Sequence, residues 1–147
     1  MKKNKQKILD ALDKFGNFHY LGTIDYPNEV RKYLTEIDIY ALPTGMDTTP
    51  LSCREAMSME KPIIATSVGG IPEMIYDDKT GFLVEEGDSQ AWIKKIEVLV
   101  EQKELRLKLG GNAKQLVIEK FNWDTLAKRF VEIIESSLGE NIKHLNK

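Results

Sequence analysis

Residues 38–66, DIYALPTGMDTTPLSCREAMSMEKPIIAT, decide how this chain folds. Asp38-Ile39-Tyr40-Ala41-Leu42-Pro43 is a nearly continuous apolar run, the kind a strand carries when both of its faces are covered. A loop over 44–49 follows, and Pro50 brings a fixed φ suited to the first turn of a helix over 51–59. Pro62 excludes Lys61 from helical geometry and ends that helix. Pro62-Ile63-Ile64-Ala65-Thr66 then reads as a further buried strand. Strand, helix and strand in this order form one βαβ unit, which predicts an α/β chain with a parallel sheet.

Moving outward strengthens that reading. Gly69-Gly70 is a turn, 71–76 a short helix, 77–81 a turn by composition, and Gly81-Phe82-Leu83-Val84 a last short strand. Beyond it the pattern is helical. Asp88 is placed to cap a helix whose Trp92, Ile93, Ile96, Leu99 and Val100 form one apolar stripe. A second helix spans 103–120, where Gly110 and Gly111 each weaken it by about 1 kcal/mol relative to alanine and open a break. Asn122 caps a last helix whose Leu126, Phe130, Ile133, Ile134 and Leu138 are expected to face inward. On the N-terminal side, Pro27 opens a helix over 28–36 with Val30, Tyr33, Leu34 and Ile37 at helical spacing, 18–22 reads as a strand, and 5–14 as a helix with Ile8, Leu9 and Leu12 on one face. The expected architecture is a three-layer, Rossmann-like parallel sheet flanked by helices, a single domain over 1–147 without repeat or linker.

Composition removes several function classes. Charged residues make up 30% and hydrophobic ones 41% of 147 residues, values of a globular chain rather than a disordered or membrane one. The net charge of -2 is spread along the chain, so no field of one sign attracts nucleic acid or anionic lipid. The basic opening 1–7 has no apolar run behind it and reads as a solvated helix start, not a signal peptide, and no stretch is apolar over a bilayer's thickness. A single cysteine, Cys53, forms no internal disulfide, and with His19 and His144 as the sole histidines no metal-ligand cluster is expected. These features suit the cytoplasm.

Asp47 and Glu55 stand eight positions apart, one in the loop after a strand and one inside the following helix. In open parallel sheets ligands bind outside the carboxyl ends of the strands, where this junction lies. The N-terminus of the helix near Pro50 offers free N–H groups and a positive dipole end to a phosphate or sugar oxygen, and carboxylates accept hydrogen bonds from sugar and ribose hydroxyls. Spacing alone does not lift the pair above a plainer reading, in which Asp47 shapes a turn and Glu55 is a solvated helix residue.

The segments 38–44 with Asp47, Thr49-Pro50-Leu51-Ser52, Glu55-Ala56-Met57, 62–66 and Gly69-Gly70-Ile71-Pro72-Glu73 closely resemble the retaining, metal-independent family 4 glycosyltransferases of the GT-B fold. Thr80-Gly81-Phe82-Leu83-Val84 and Phe121-Asn122-Trp123 continue the likeness in the same order. The resemblance implies the C-terminal, donor-binding half of such an enzyme, without its first strand or strands. It implies that Glu55 hydrogen-bonds the ribose and that Asp47, where the family usually has glutamate, contacts the transferred sugar. It places the N–H groups of Thr49 and Leu51 nearest the sugar and diphosphate, whereas Pro50 supplies no donor. It puts the base beside Leu21, Gly22 and Thr23. For Gly69, Gly70 and Glu73 it implies a loop that approaches the diphosphate and a carboxylate that braces the next helix, and a plain tight turn before a helix fits the same residues. Glu60 stands where glycine is usual, and a left-handed cap there costs about 1 kcal/mol, so the helix is expected to end differently. Cys53 and Met57 read as packing; neither histidine is given a role.

The resemblance further implies transfer of a sugar from a nucleoside diphosphate sugar to an acceptor hydroxyl with retention, without metal or other cofactor, in polysaccharide or glycoconjugate biosynthesis. The family's opening strand, its glycine-rich turn, its arginine and lysine for the diphosphate, and its N-terminal acceptor domain have no counterpart here. The isolated chain is therefore expected to bind donor weakly and not to turn over. Alternatives kept open are a non-catalytic nucleotide-sugar-binding module, a partner of a separate acceptor domain, another GT-B activity such as an epimerase, and a pure interaction role. Self-association through apolar surface is expected, and peripheral membrane association in a complete enzyme is compatible with this reading.

Overall fold

The computed structural model describes Asp10, Lys14 and residues 16–145, with side chains through Leu138. The chain divides into two compact units, Met1–Lys32 and Tyr33–Lys147. The helix expected over 5–14 lies outside the described residues except at Asp10 and Lys14.

In the first unit, residues 18–22 are irregular rather than a strand, with Phe18, Tyr20 and Leu21 exposed. β-rich composition makes a strand only where a neighbouring backbone completes the ladder, and these residues belong to no sheet. The unit boundary falls within helix α1, Asn28–Glu36, in which Leu34 is buried and Val30 and Tyr33 half-buried, as the spacing predicts. The Glu29 carboxylate accepts the Asp25 N–H at 3.1 Å and fixes the approach to this helix.

The second unit continues with β1 (Tyr40–Leu42), α2 (Leu51–Ser58), β2 (Ile63–Thr66), α3 (Ile71–Met74), β3 (Gly81–Val84), α4 (Ser89–Glu101), α5 (Lys103–Lys120) and α6 (Trp123–Leu145). The three strands form one parallel sheet in the order β1-β2-β3, with Tyr40 opposite Ile63 and Ile63 opposite Gly81. All four residues of central β2 are buried, as its unbroken apolar run requires. β1 departs from expectation: Ala41 is exposed and its neighbours half-buried, because β1 pairs on one side alone in this sheet.

Ile64, Phe82 and Val84 point to one face of the sheet and pack with Leu99 of α4 and Leu109 of α5. Burial at five such sites contributes roughly 1.5–3 kcal/mol each. Helix α2 buries Cys53, Ala56 and Met57 and packs on β1, β2 and α5. Its end overturns one expectation. Glu60 adopts the left-handed conformation at φ 58°; its N–H reaches Met57 O at 3.0 Å and the Lys61 N–H reaches Ala56 O at 3.0 Å. This paired cap satisfies carbonyls that otherwise end a helix unbonded, and Glu60 also accepts from Lys114 Nζ at 2.6 Å. α5 likewise runs unbroken through Gly110 and Gly111. Gly110 is there for proximity, since a Cβ on it would lie 1.9 Å from the Glu60 carbonyl oxygen.

The caps read from sequence are formed. Asp88 Oδ1 accepts the Ala91 N–H at 2.9 Å, and Asn122 Oδ1 accepts the N–H groups of Asp124 and Thr125 at 2.7 and 3.3 Å. The apolar stripe of α6 does not face inward: Leu126, Phe130, Ile133, Ile134 and Leu138 are all exposed, and Trp123 is 84% exposed. The period is helical, but among the described residues no layer lies over that face. No described helix is long and apolar enough to cross a membrane.

Candidate functional site

The loop from Pro43 to Pro50 leaves the C-terminal end of β1 and is shaped by short hydrogen bonds. The Thr44 N–H reaches Thr66 Oγ1 at the end of β2 at 3.1 Å, and the Thr44 hydroxyl donates to Met46 O at 3.1 Å. The loop then lies directly on the one that follows β2. The Gly70 N–H points at Asp47 O at 3.4 Å. A Cβ on Gly69 would sit 1.8 Å from Asp47 O, and one on Gly70 1.9 Å from Thr48 O. Gly69 also holds φ at +55°, which glycine adopts without strain. No other residue pair lets these two backbones approach as they do.

Helix α2 starts where the first loop ends. Pro50 is buried at the N-cap position, one residue before the helical start expected for it, and no side chain caps the first turn. The N–H groups of Leu51 and Ser52 therefore have no acceptor in the helix, and Leu51 is 66% exposed. That leaves a free donor pair with the positive end of the helix dipole behind it.

Asp47 and Glu55 are both half-buried, and both act on one group, the phenol of Tyr40 on β1. Burial raises the Tyr40 pKa above its ordinary value; a hydrogen bond with Ser52 offsets part of the shift, and electrostatic coupling to Cys53 and to the carboxylates of Glu55 and Asp47 adds to it. The Cys53 thiol, fully enclosed in α2, is pushed up to about 12 by burial and then by Asp47. It stays a protonated packing group, as read from its position. Two carboxylates that both raise the same tyrosine share one electrostatic neighbourhood, at the sheet rim beside the uncapped helix.

Of the other residues singled out by sequence, Thr49 is exposed in the loop, its methyl 3.6 Å from a Cβ placed on Gly70. Glu73 is exposed in the first turn of α3. Thr23 is exposed and belongs to the first compact unit, as do Leu21 and Gly22. Sequence reasoning missed Tyr40 and Ser52. The one signal for Tyr40 was a hydroxyl inside an otherwise aliphatic strand. Among the described residues no group of three or more His, Cys, Asp or Glu side chains comes together.

Comparison with known proteins fits this geometry. The profile of glycosyl transferases group 1 matches residues 1–116. The chain belongs to that family. It is 28% identical over 121 residues to the capsular polysaccharide biosynthesis glycosyltransferase CapM of Staphylococcus aureus, covering 80% of this chain and 32% of CapM. Its fold matches the C-terminal domain of a glycosyl transferase group 1 family protein, LpcC of Francisella tularensis, at a TM-score of 0.74 and 29% identity over 82% of this chain and 64% of that one. It also matches Anabaena HepE, solved in complex with UDP, at a TM-score of 0.78 and 23% identity over 91% of this chain and 36% of HepE. This group 1 chain thus spans about a third of CapM's length, and it carries the α/β architecture of a C-terminal GT-B domain.

Proposed function

We propose that this chain is the nucleotide-sugar-binding half of a retaining glycosyltransferase, a single donor domain over 1–147 that acts with an acceptor-binding half. The observation that carries the reading is the pairing of an uncapped α2 N-terminus with two half-buried carboxylates, Glu55 within α2 and Asp47 on the loop that Gly69 and Gly70 let pack against their own. The Leu51 N–H and its neighbour Thr49 take the diphosphate, where backbone donors and the helix dipole both favour negative charge. Glu55 accepts from the ribose hydroxyls and Asp47 from hydroxyls of the sugar, and Glu73 stands beside the glycine pair. Anabaena HepE has been solved with UDP and with UDP-glucose, so uridine donors come first in a panel with guanosine and adenosine diphosphates.

In the complete enzyme the acceptor oxygen bonds to the anomeric carbon with retention as the bond from that carbon to the diphosphate breaks, and the hydroxyl's proton passes to the leaving diphosphate, on whose oxygen charge builds. This half contributes by binding that charge and orienting the sugar, the part of catalysis that rests on placed donors. Acceptor and donor must be aligned by both halves, so the isolated chain binds without turnover.

Calorimetry or NMR titration of the whole chain with UDP-glucose and its congeners tests the reading. Glu55→Ala should weaken binding about tenfold, the effect of removing one charged acceptor, while leaving the melting temperature unchanged. Binding that Glu55→Ala and Asp47→Asn both leave intact would remove the site assignment. Sugar transfer by the pure chain would overturn the claim that it needs a second half.

A further inference from the structure

A second cleft opens on the same rim of the sheet, and Asp47 is not among its lining residues. It measures about 270 Å³ and is lined by Thr44 and Gly45 after β1, Thr66 at the end of β2, and Glu86, Ser89 and Trp92 around the start of α4. Thr66 is 3% exposed and its Oγ1 already accepts from the Thr44 N–H, so its hydroxyl proton is directed elsewhere. Glu86 Oε1 lies 3.0 Å from the place a Cβ on Gly45 would take, so the carboxylate hangs over a bare α-carbon in the wall of the cleft. Trp92 is half-buried against the core formed by Ile64, Phe82 and Leu99, which fixes its ring as one wall. Among the described residues no ion pair engages Glu86 and no hydrogen bond engages the Ser89 hydroxyl or the Trp92 indole N–H.

We propose that this cleft binds a pyranose ring carrying two adjacent free hydroxyls. A fixed indole face takes the apolar C–H face of a sugar, a carboxylate takes a pair of vicinal hydroxyls because each oxygen accepts twice, and small hydroxyls serve the remaining ring oxygens. Charged ligands fit less well: an anion meets Glu86, and a cation gains a single carboxylate beside neutral hydroxyls. The volume is below the roughly 300 Å³ at which drug-sized ligands begin and suits one ring of about a dozen heavy atoms. Thr44 and Asp47 are three positions apart, with Gly45 and Met46 between them, so their Cα atoms lie within about 11 Å. A ring held here is one to two sugar units from the transferred sugar, the place of a residue in a saccharide acceptor. That last step rests on the donor-site reading above; pyranose binding itself does not.

The test titrates the whole ¹⁵N-labelled chain with methyl glucopyranoside, methyl mannopyranoside and methyl galactopyranoside while following the indole N–H signals of Trp92 and Trp123, assigned with Trp92→Phe. The expected result is a saturable shift at Trp92 with a dissociation constant on the order of millimolar, and none at Trp123. Glu86→Gln and Gly45→Ala should each weaken it at least about fivefold; neither residue belongs to the donor site, and Gly45→Ala places a methyl in the cleft without removing a charge. No shift at Trp92, or a shift that both substitutions leave unchanged, overturns the proposal. Disaccharides bound about tenfold more tightly than the methyl glycosides would mark the ligand as one residue of a glycan; equal affinity would mark it as a free monosaccharide and remove the acceptor assignment. UDP titrated in parallel separates the two sites. Loss of UDP binding with retained pyranose binding sinks the donor reading alone, and the converse sinks the cleft alone.

Discussion

The two rims of the sheet use one structural device toward different ends. At the C-terminal rim Gly70 lets the Thr48 carbonyl come within 1.9 Å of where a Cβ would stand, and at the N-terminal rim Gly110 does the same for the Glu60 carbonyl. Around Gly110 the polar groups are engaged. Lys114 holds Glu60 at 2.6 Å, Arg106 donates to the carbonyls of Leu99 at 2.6 Å and Val100 at 2.9 Å, and Lys61 donates to Thr35 O at 2.9 Å. Around Gly70, by contrast, the start of α2 is uncapped and Asp47, Glu55 and Glu73 make no ion pair among the described residues. Close backbone approach is a packing solution at one end and a way to hold open binding groups at the other. Satisfied groups point to stability, and unsatisfied ones mark where a ligand belongs.

That contrast breaks most sharply on substitution. Gly110→Ala forces a methyl into the Glu60 carbonyl where α5 packs against the end of α2, and an overpacked contact of this kind costs about 3 kcal/mol, read as a large fall in melting temperature. Gly111, one residue on, meets nothing within 4 Å of an added Cβ. Gly111→Ala should therefore raise stability by about 1 kcal/mol, since alanine is the better helix former. Equal effects from the two substitutions would show that α2 and α5 do not touch as described. Gly70→Ala should fall between them in stability, because Thr48 and Thr49 are exposed and can yield. Its larger consequence should be in binding, a loss of about tenfold for a nucleoside diphosphate as the loop under Asp47 shifts. If Gly70→Ala destabilised the chain as Gly110→Ala does and left nucleotide binding alone, the two rims would have to be reassigned.

Much of this was legible in sequence, and the failures share a cause. The strands at 63–66 and 81–84, the caps Asp88 and Asn122, and the loop bearing Asp47 follow from local chemistry: proline boundaries, apolar runs and short acceptors at helix starts. What was misread depends on neighbours distant in sequence. Among the described residues, those at 18–22 have β-rich composition and join no ladder, β1 looks buried on both faces yet pairs along one edge, and the α6 stripe is periodic and faces no partner. Gly110 was read as a weakness in α5 and is instead the contact with Glu60, fifty residues away in the chain. Within the site, the carboxylate pair was singled out by resemblance and not by spacing alone, whereas Tyr40, the group on which both carboxylates act, had only a hydroxyl in an otherwise aliphatic strand to mark it.

Loss of one cap is a smaller effect. Asn122→Ala removes the acceptor for the Asp124 and Thr125 N–H groups and should lower stability by about 1 kcal/mol, with circular dichroism showing the loss confined to helix.

The finest test of the comparison uses pH, because folding raises the proton affinity of Cys53 and Tyr40 beside the site and lowers that of Glu60 at the other rim. Cys53, beside the site, has its pKa raised from 9.0 to about 12 by burial and then by Asp47. The folded chain keeps its proton while the unfolded chain releases it, so the associated stability is whole below pH 9 and is lost as pH climbs from 9 toward 12. Glu60, at the other rim, has its pKa lowered, chiefly by the hydrogen bond from Lys114. Its contribution is present above its ordinary 4.5 and is lost as pH falls below that value. Melting temperature against pH should therefore fall at both ends for different reasons. Cys53→Ala should flatten the alkaline limb and leave the acid limb in place, and Glu60→Gln should flatten the acid limb slightly, since that carboxylate is exposed and water screens it. An alkaline limb that Cys53→Ala does not change would mean that burial does not hold the thiol's proton, and an Asp47→Asn variant whose alkaline limb matches the parent's would take Asp47 out of the neighbourhood that Cys53 and Tyr40 share.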